Sequence, residues 1–385
     1  MGTIQRAVVL DALKVFVATA AVALLLMTLG GGAKEGVSRG LPPQIIVRII
    51  PYLIPEVLRF VVPGCLLFAV CSVYGRMAAS NEIVAIKSSG VNPLRVMWPV
   101  LVLAYALSMF TYWLYDVCAV WARPNLQREI AQSLTDIAYG YLRANRSFRT
   151  QGLSIVVKGV DGDQLLKPIV TIESGAAGRP VVLIADRARL RSDPRAGLLR
   201  IECENGRLEI SGKGSLSFSD RFVQDISIEG FRPPDEDSLS PAALGMRALR
   251  EQAEKEQHHI GRLETSLGRQ AADSPQAAKP LRDELGYRQQ RLSRLVAEPH
   301  RRLSNGLGCL CFALVGVPVA MGRRSADVMS IFFICFLPIL LLYYPLLMTG
   351  ENLARQGVFP QGSVWLADGA LLIVGIVLMW WSTRR

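Results

Sequence analysis

Three long uncharged runs lie toward one end of this chain and three toward the other. Val15–Ala33, Phe60–Gly75 and Val96–Tyr115 form the first group; Leu303–Gly322, Val328–Gly350 and Gly357–Thr383 form the second. Asp368 is the one charge among them. A helix crosses the hydrocarbon core of a bilayer with ~20 apolar residues. Each run reaches that length, the second by extending upstream through Ile49–Ile54. Pro63, Gly64, Pro318, Pro338 and Pro345 lie inside the runs, where lipid-embedded helices tolerate them better than soluble ones do. Only 19% of the 385 residues are charged, 51% are apolar, and most charged side chains fall between Arg123 and Arg302. A single soluble globule is excluded. The pattern predicts a polytopic α-helical membrane protein, with six transmembrane helices arranged three and three around a polar insertion.

Orientation follows the bias of Lys and Arg in short loops. With the N-terminus inside, the inner segments carry Arg6, Arg76, Lys87, Arg95, Arg323, Arg324, Arg384 and Arg385, and the short outer ones Lys34, Arg39, Arg48, Arg59 and Arg355. This puts both termini in the cytoplasm and the insertion outside. The net charge of +11 is spread over flanks and insertion alike, so it reads as topology signal and lipid-headgroup contact, not as a nucleic-acid patch. No cleavable signal peptide is apparent. Of the 7 cysteines most lie in or beside apolar runs, which argues against a disulfide framework. Cys309 and Cys311 sit in too apolar a setting for a metal site.

The insertion has two parts. Leu153–Val160, Pro168–Ile172, Val181–Leu190, Leu198–Glu204, Arg207–Ile210, Ser215–Phe218 and Phe222–Glu229 read as strands. Turn residues punctuate them, as in Ser192–Gly197 and Glu204-Asn205-Gly206. Short strands without intervening helices predict an antiparallel sandwich or roll, jellyroll-like. From Pro241 to Arg302 the period becomes helical. Ile260, Leu263 and Leu267 share one face and Leu281, Leu285, Leu292 and Leu295 another, with a break over Ala271–Pro280, as in a charged helical hairpin. The expected division is 1–122 for helices one to three, 123–240 for the β-domain, 241–302 for the hairpin and 303–385 for helices four to six.

Catalytic motifs are missing from the text. Gly212-Lys213 lacks the rest of a phosphate-binding loop, no G-x-S-x-G or H-E-x-x-H occurs, and His258-His259 falls on a charged helix as a solvated pair. An enzyme is disfavoured, and the chain itself is expected to hold no cofactor. The loop between the second and third runs, Gly75–Pro93, is more informative. Ser80 is placed to cap a short helix and Glu82 to complement its dipole. Gly90 suits the position after its last turn, and Pro93 stops it. Ala79, Ile83 and Ile86 share a face. Such a helix either floats in the inner interface or docks into a groove of a cytoplasmic partner.

The stretch Val57–Pro93, with Pro63-Gly64 and then Gly-Arg-x-x-x-x-Asn-Glu-Ile-x-x-Ile-Lys-Ser-Ser-Gly-Val-Asn-Pro, resembles the LptF/LptG family of lipopolysaccharide-export permeases. So does the re-entry Glu298-Pro299-His300-Arg301-Arg302-Leu303 leading to Val315-Gly316-Val317-Pro318. The layout, six spans flanking a periplasmic antiparallel β-jellyroll-like domain with a helical hairpin before the fourth span, is similar to the family over essentially the whole chain. The resemblance implies an inner-membrane permease subunit of an ABC exporter, which takes lipopolysaccharide from the outer leaflet and passes it to a periplasmic bridge. Its partners would be a cytoplasmic LptB-like ATPase dimer that binds the ATP, a second permease of this type or a copy of itself, and an LptC/LptA-like bridge protein. Residues 80–90 would be the coupling helix, with Ser80, Glu82, Ile83, Ile86 and Gly90 as its site residues and Glu82 engaging the ATPase. Spans one and five would wall an apolar cavity. Lys34, Arg39 and Arg48 either contact the anionic headgroup or snorkel to the interface. An open edge of the roll could add a strand from a partner. Two features depart from the family: a longer segment at 241–297, and Ser304-Asn305-Gly306 where a proline is common. Asp116 and Asp368 are expected to be ion-paired or exposed. The alternative function is a membrane-anchored periplasmic scaffold or sensor of envelope components without transport; co-purification of an ATPase separates the two.

Overall fold

The computed structural model describes residues 2–33, 43–132, 134–150, 153–172, 181–193, 198–210, 214–218, 222–227, 240–273, 278–323, 327–357 and 361–384. They group into two compact units. One comprises Met1–Leu25, Pro55–Val120 and Ser240–Arg385, the other Leu26–Ile54 and Trp121–Leu239.

The first unit is helical. In chain order the helices are α1 (Thr3–Met27), α2 (Pro43–Ala79, whose first residues belong to the other unit), the short α3 (Glu82–Ser88) and α4 (Leu94–Val117). After the insertion come α7 (Met246–Asp273), α8 (Ala278–Met321), α9 (Val328–Pro338), α10 (Tyr344–Gln356) and α11 (Leu366–Arg384). A wider π-type turn, Ile339–Tyr343, joins α9 to α10 between two prolines that lack a backbone donor. Six helical stretches among the described residues are long and apolar enough to cross a membrane: Thr3–Gly31, Ile45–Ala79, Leu94–Glu129, Lys279–Met321, Val328–Gln356 and Gln361–Ser382. Leu66, Leu67, Tyr74, Met97, Val100, Phe312 and Ile331 fill the interior. Outward, Leu341, Leu342 and Ile373 are 67%, 72% and 65% exposed, a surface that suits acyl chains and would be a liability in water. Small polar groups join the helices: the Leu310 amide donates to Ser108 Oγ at 3.1 Å, and Thr111 lies 3.6 Å from Cys309 Sγ.

Helix α8 has 44 residues, ~66 Å at 1.5 Å per residue against ~30 Å of hydrocarbon. The second arm of the hairpin and the fourth span are therefore one continuous helix, and the boundary expected at 302/303 falls inside it. Pro280 lies in its first turn, where no helical bond is lost. Ile260 and Leu295 are buried in the hairpin, and Glu256 of α7 accepts from Arg288 and Arg291 of α8, each at 3.1 Å. His258 and His259 are exposed.

The second unit begins with two helices, α5 (Arg123–Gln132) and α6 (Leu134–Asn145), and then turns to strands. These are β1 (Ser147–Thr150), β2 (Leu153–Val156), β3 (Gly159–Asp161), β4 (Gln164–Leu166), β5 (Ile169–Ile172), β6 (Val181–Asp193), β7 (Leu198–Ile210), β8 (Gly214–Phe218) and β9 (Phe222–Ser227). All described pairings are antiparallel. The long β6–β7 ladder is shared: one half continues through β5, β2 and β1 on one side and β8 on the other, the second half through β4 and β3 and through β9. Where the halves meet, the ladder skips Asp186 and Asn205, the Lys167 amide donates to the Asp186 carbonyl at 2.9 Å, and Asn205 has φ 51. Glu204-Asn205-Gly206 is thus a bend inside one strand and not the turn expected from its composition. Gly206 is required there, because a Cβ would meet the Ile184 carbonyl and the Phe218 ring.

The folded sheet encloses Ile155, Leu165, Val170, Leu183, Leu190 and Ile201, together with Ala138, Tyr139 and Leu142 of α6. Tyr139 donates to the Asp163 carbonyl at 2.7 Å and accepts from the Leu190 amide at 2.9 Å, pinning α6 to β6 and to the β3–β4 turn. Tyr139→Phe removes both bonds and leaves a buried amide without a partner, a loss of about 1–2 kcal/mol. Burial raises the Tyr139 phenol above its ordinary value. Its contribution is therefore complete below the ordinary phenol range and falls as pH rises through the raised value. Thermal unfolding of wild type and Tyr139→Phe should differ at neutral pH and converge in strong alkali.

Candidate functional site

The loop between α2 and α4 is built by backbone geometry. The last turn of α2 closes with the Ser80 amide on the Arg76 carbonyl at 2.9 Å and the Asn81 amide on the Ala78 carbonyl at 3.2 Å. Asn81 then takes a left-handed conformation, φ 63 and ψ 11, and its carbonyl accepts the first bond of α3 from Ala85 at 3.0 Å. Asn81 is the cap, and Ser80 is not. Ser80 directly follows α2, its amide closing the helix's last turn, and its hydroxyl turns back 3.0 Å to the Arg76 carbonyl and lies 2.9 Å from Glu82 Oε1. Asparagine is one of the few side chains that tolerates the left-handed corner.

At its other end α3 closes as a Schellman motif. The Gly90 amide donates to the Lys87 carbonyl at 3.0 Å and the Val91 amide to the Ile86 carbonyl at 3.3 Å, with Gly90 at φ 77. Gly90 occupies the position expected for it, in a structural role. Ile83 is buried in the helical unit and Ile86 packs against the same core. The apolar face is therefore used up inside the protein's own bundle, which removes the anchor a lipid-floating helix needs. Lys87 Nζ donates to the Ser382 carbonyl of α11 at 3.2 Å, and Gln5 of α1 reaches the Arg95 carbonyl of α4 at 2.8 Å. Helix α3 is thus tied to α11 by a hydrogen bond and to the bundle core through Ile83 and Ile86, while α1 is tied to the start of α4.

What remains outward is polar and small: Ser80, Glu82, Ala85, Ser88 and Ser89 are exposed. Glu82 also lines a groove of about 470 Å³ between α1 and the end of α2, whose walls include Val8 and Val73 and whose charges are Asp11, Lys14 and Arg76. Asp11 pairs with Arg76 at 3.2 Å and Lys14 at 3.6 Å. This internal pairing leaves the Glu82 carboxylate, bonded to a neutral hydroxyl, as the group best placed to meet a partner's cation.

The opposite end of the helical unit holds a polar cluster that sequence reasoning quoted only as part of a motif. Arg302, 1% exposed, donates from Nε to Glu298 at 3.2 Å, from one terminal nitrogen to the Leu244 carbonyl at 2.6 Å, and from the other to Asp116 at 3.4 Å. Asp116 also accepts from the Met246 amide at 3.0 Å, fixing the start of α7. The expected ion pairing of Asp116 is present. Asp368 departs from expectation: it is neither exposed nor ion-paired among the described residues, but buried, with Tyr343 donating at 2.9 Å and Ser304 in a close hydrogen bond. Ser304 in place of a proline supplies that bond, and α8 continues past it as helix. Arg59, counted above as an outer-loop charge, lies inside α2, paired with Glu56 and stacked on the Phe60 and Tyr115 rings. Lys34 and Arg39 lie outside the described residues. Arg48 is 71% exposed and 3.6 Å from Glu129.

Six membrane-length helices, a sheet domain inserted after the third, and a loop helix seated on the bundle with an outward carboxylate define a polytopic membrane protein with a β-domain. The family described as lipopolysaccharide export system permease LptF/LptG matches residues 6–381. The chain belongs to that family. No curated protein matches it. Membership makes the chain a permease subunit of the lipopolysaccharide-export machinery and an inner-membrane protein.

Proposed function

We propose that this chain is one permease of an ABC exporter that extracts lipopolysaccharide from the outer leaflet of the inner membrane, with α3 as the helix through which a soluble LptB-like ATPase dimer drives it. In this reading both termini are cytoplasmic and the strand-rich unit is periplasmic. The observation that carries it is the seat of α3: a helix whose apolar face is spent on its own bundle can pass on a push from outside only through its exposed face, and Glu82 is the charge there. The uneven burial of the spans supports a second permease chain. Of the most apolar stretches of the first, fifth and sixth spans only 22%, 28% and 28% is buried, against 72% for the fourth, so these three have apolar surface to give to a partner and to acyl chains. The periplasmic bridge would be LptC/LptA-like, and ATP would bind to the partner subunit alone.

The test is Glu82→Arg in the complex reconstituted in vesicles. Reversing the charge sets like charges against each other across the docking surface, which costs several kcal/mol. Export should fall by more than about tenfold, while the variant inserts and purifies normally. Glu82→Asp should retain most activity. Full export by Glu82→Arg would remove α3 from the coupling path.

A further inference from the structure

The hairpin has no role in the reading above, yet it builds a pocket. The start of the segment leading into α7 (Ser240–Ala242), the hairpin half of α8 (Gln290, Arg294, Glu298) and the end of α10 (Asn352, Arg355, Gln356) line a half-open pocket of about 430 Å³. That volume lies in the range of ligand sites and well above that of a water. Its side chains are donor-rich. Glu298 does not set the sign of the pocket, because both of its oxygens are taken: Oε2 by Arg301 Nε at 2.9 Å, Oε1 by Arg301 at 2.6 Å and by Arg302 at 3.2 Å. Arg294 is exposed and has no ion-pair partner among the described residues. Arg355 is 44% exposed, and its pairing with Glu351, at 3.6 Å, leaves donors of its planar fork unused. Two guanidinium groups fit the oxygens of a phosphate, and three carboxamides offer both donors and acceptors to hydroxyls beside it. The pocket sits where α10 ends and before the apolar half of α8 begins, which is headgroup depth for a chain of this kind.

We propose that this pocket binds a phosphate carried on a hydroxyl-bearing group, held by Arg294 and Arg355. The phosphate can come from a membrane lipid headgroup or from a soluble sugar phosphate. The inference stands on the pocket alone and does not depend on export. The experiment uses the purified full chain in two arms. In detergent, calorimetry measures binding of glucosamine 1-phosphate; in nanodiscs, native mass spectrometry counts phosphatidylglycerol retained over phosphatidylcholine. Arg294→Gln and Arg355→Gln should each weaken the interaction on the order of tenfold to a hundredfold, the loss of charge-assisted bonds. Arg262→Gln, the same charge change on an exposed face of α7, should leave it unchanged. Loss in the first arm identifies a soluble ligand and loss in the second a lipid. Binding insensitive to both pocket substitutions, equally reduced by Arg262→Gln, or absent in both arms overturns the proposal.

Discussion

Replacing Arg302 by alanine should destabilise the junction between the hairpin and the bundle by about 3–5 kcal/mol. The loss does not come from an orphaned carboxylate, because Arg301 keeps Glu298 paired through two bonds. It falls on the Leu244 carbonyl, which accepts a 2.6 Å bond from Arg302, and on the volume of a side chain that is 1% exposed. A buried carbonyl left without a donor costs about 1–3 kcal/mol, and an unfilled cavity adds to it. Asp116 is 44% exposed, so water replaces its lost partner at little cost. Arg302→Lys should be intermediate, since one ammonium refills part of the space but lacks the separate nitrogens that reach Glu298, Asp116 and the Leu244 carbonyl. The effect is local and has a local readout. Arg247 and Arg250 are exposed on the first turns of α7, and trypsin should cut there faster in Arg302→Ala while the apolar bundle stays protected. Unchanged cleavage and an unchanged melting temperature in detergent would show that the clamp contributes nothing.

The history of that cluster shows what could be read from the sequence. Glu298, Arg301 and Arg302 stand at helical spacing, so their mutual pairing was available from the text. Asp116 lies 186 residues away and Leu244 contributes only its backbone; neither leaves a local trace. The same division runs through the molecule. Membrane spans were legible because a bilayer imposes one length on every run that crosses it, and strands were legible from alternation. The bend at Asn205 reads as a turn in the sequence because Asn-Gly gives the same local signal whether the chain reverses or a long strand folds over. What decides it is the partner strand β6, paired on both sides of the bend. In the loop helix, the positions of Glu82 and Gly90 followed from rules of helix termini. The cap moved from Ser80 to Asn81 because α2 keeps its last turn one residue longer than the cap preference alone suggests. That Ile83 faces the bundle and not a partner is a tertiary fact: amphipathicity marks a face to be buried without saying against what.

This last point gives the second large effect. Ile83→Asp should unseat α3, because Ile83 is 6% exposed within the core of the helical unit, where a carboxylate would lose its water. A buried, unpaired charge costs several kcal/mol, more than the Lys87 bond to Ser382 and the Schellman closure can retain, so the loop should leave its groove. A cysteine placed at Ser88, exposed in the seated helix, reports the motion. In Ile83→Asp its environment loosens, and protease sites at Lys87 and Arg95 open. In Glu82→Arg, by contrast, the loop stays seated and only the outward charge changes. Both variants should lose export, for separable reasons: one lacks the lever and the other lacks the grip. Export lost in Ile83→Asp with protection at Lys87 intact would mean that Ile83 itself touches the partner and that α3 is not held as a rigid seat. Export retained despite an opened loop would mean that force does not pass through α3. Since Ile83 and Glu82 are adjacent in sequence yet one is buried and the other exposed, the pair separates fold from contact within a single turn of helix.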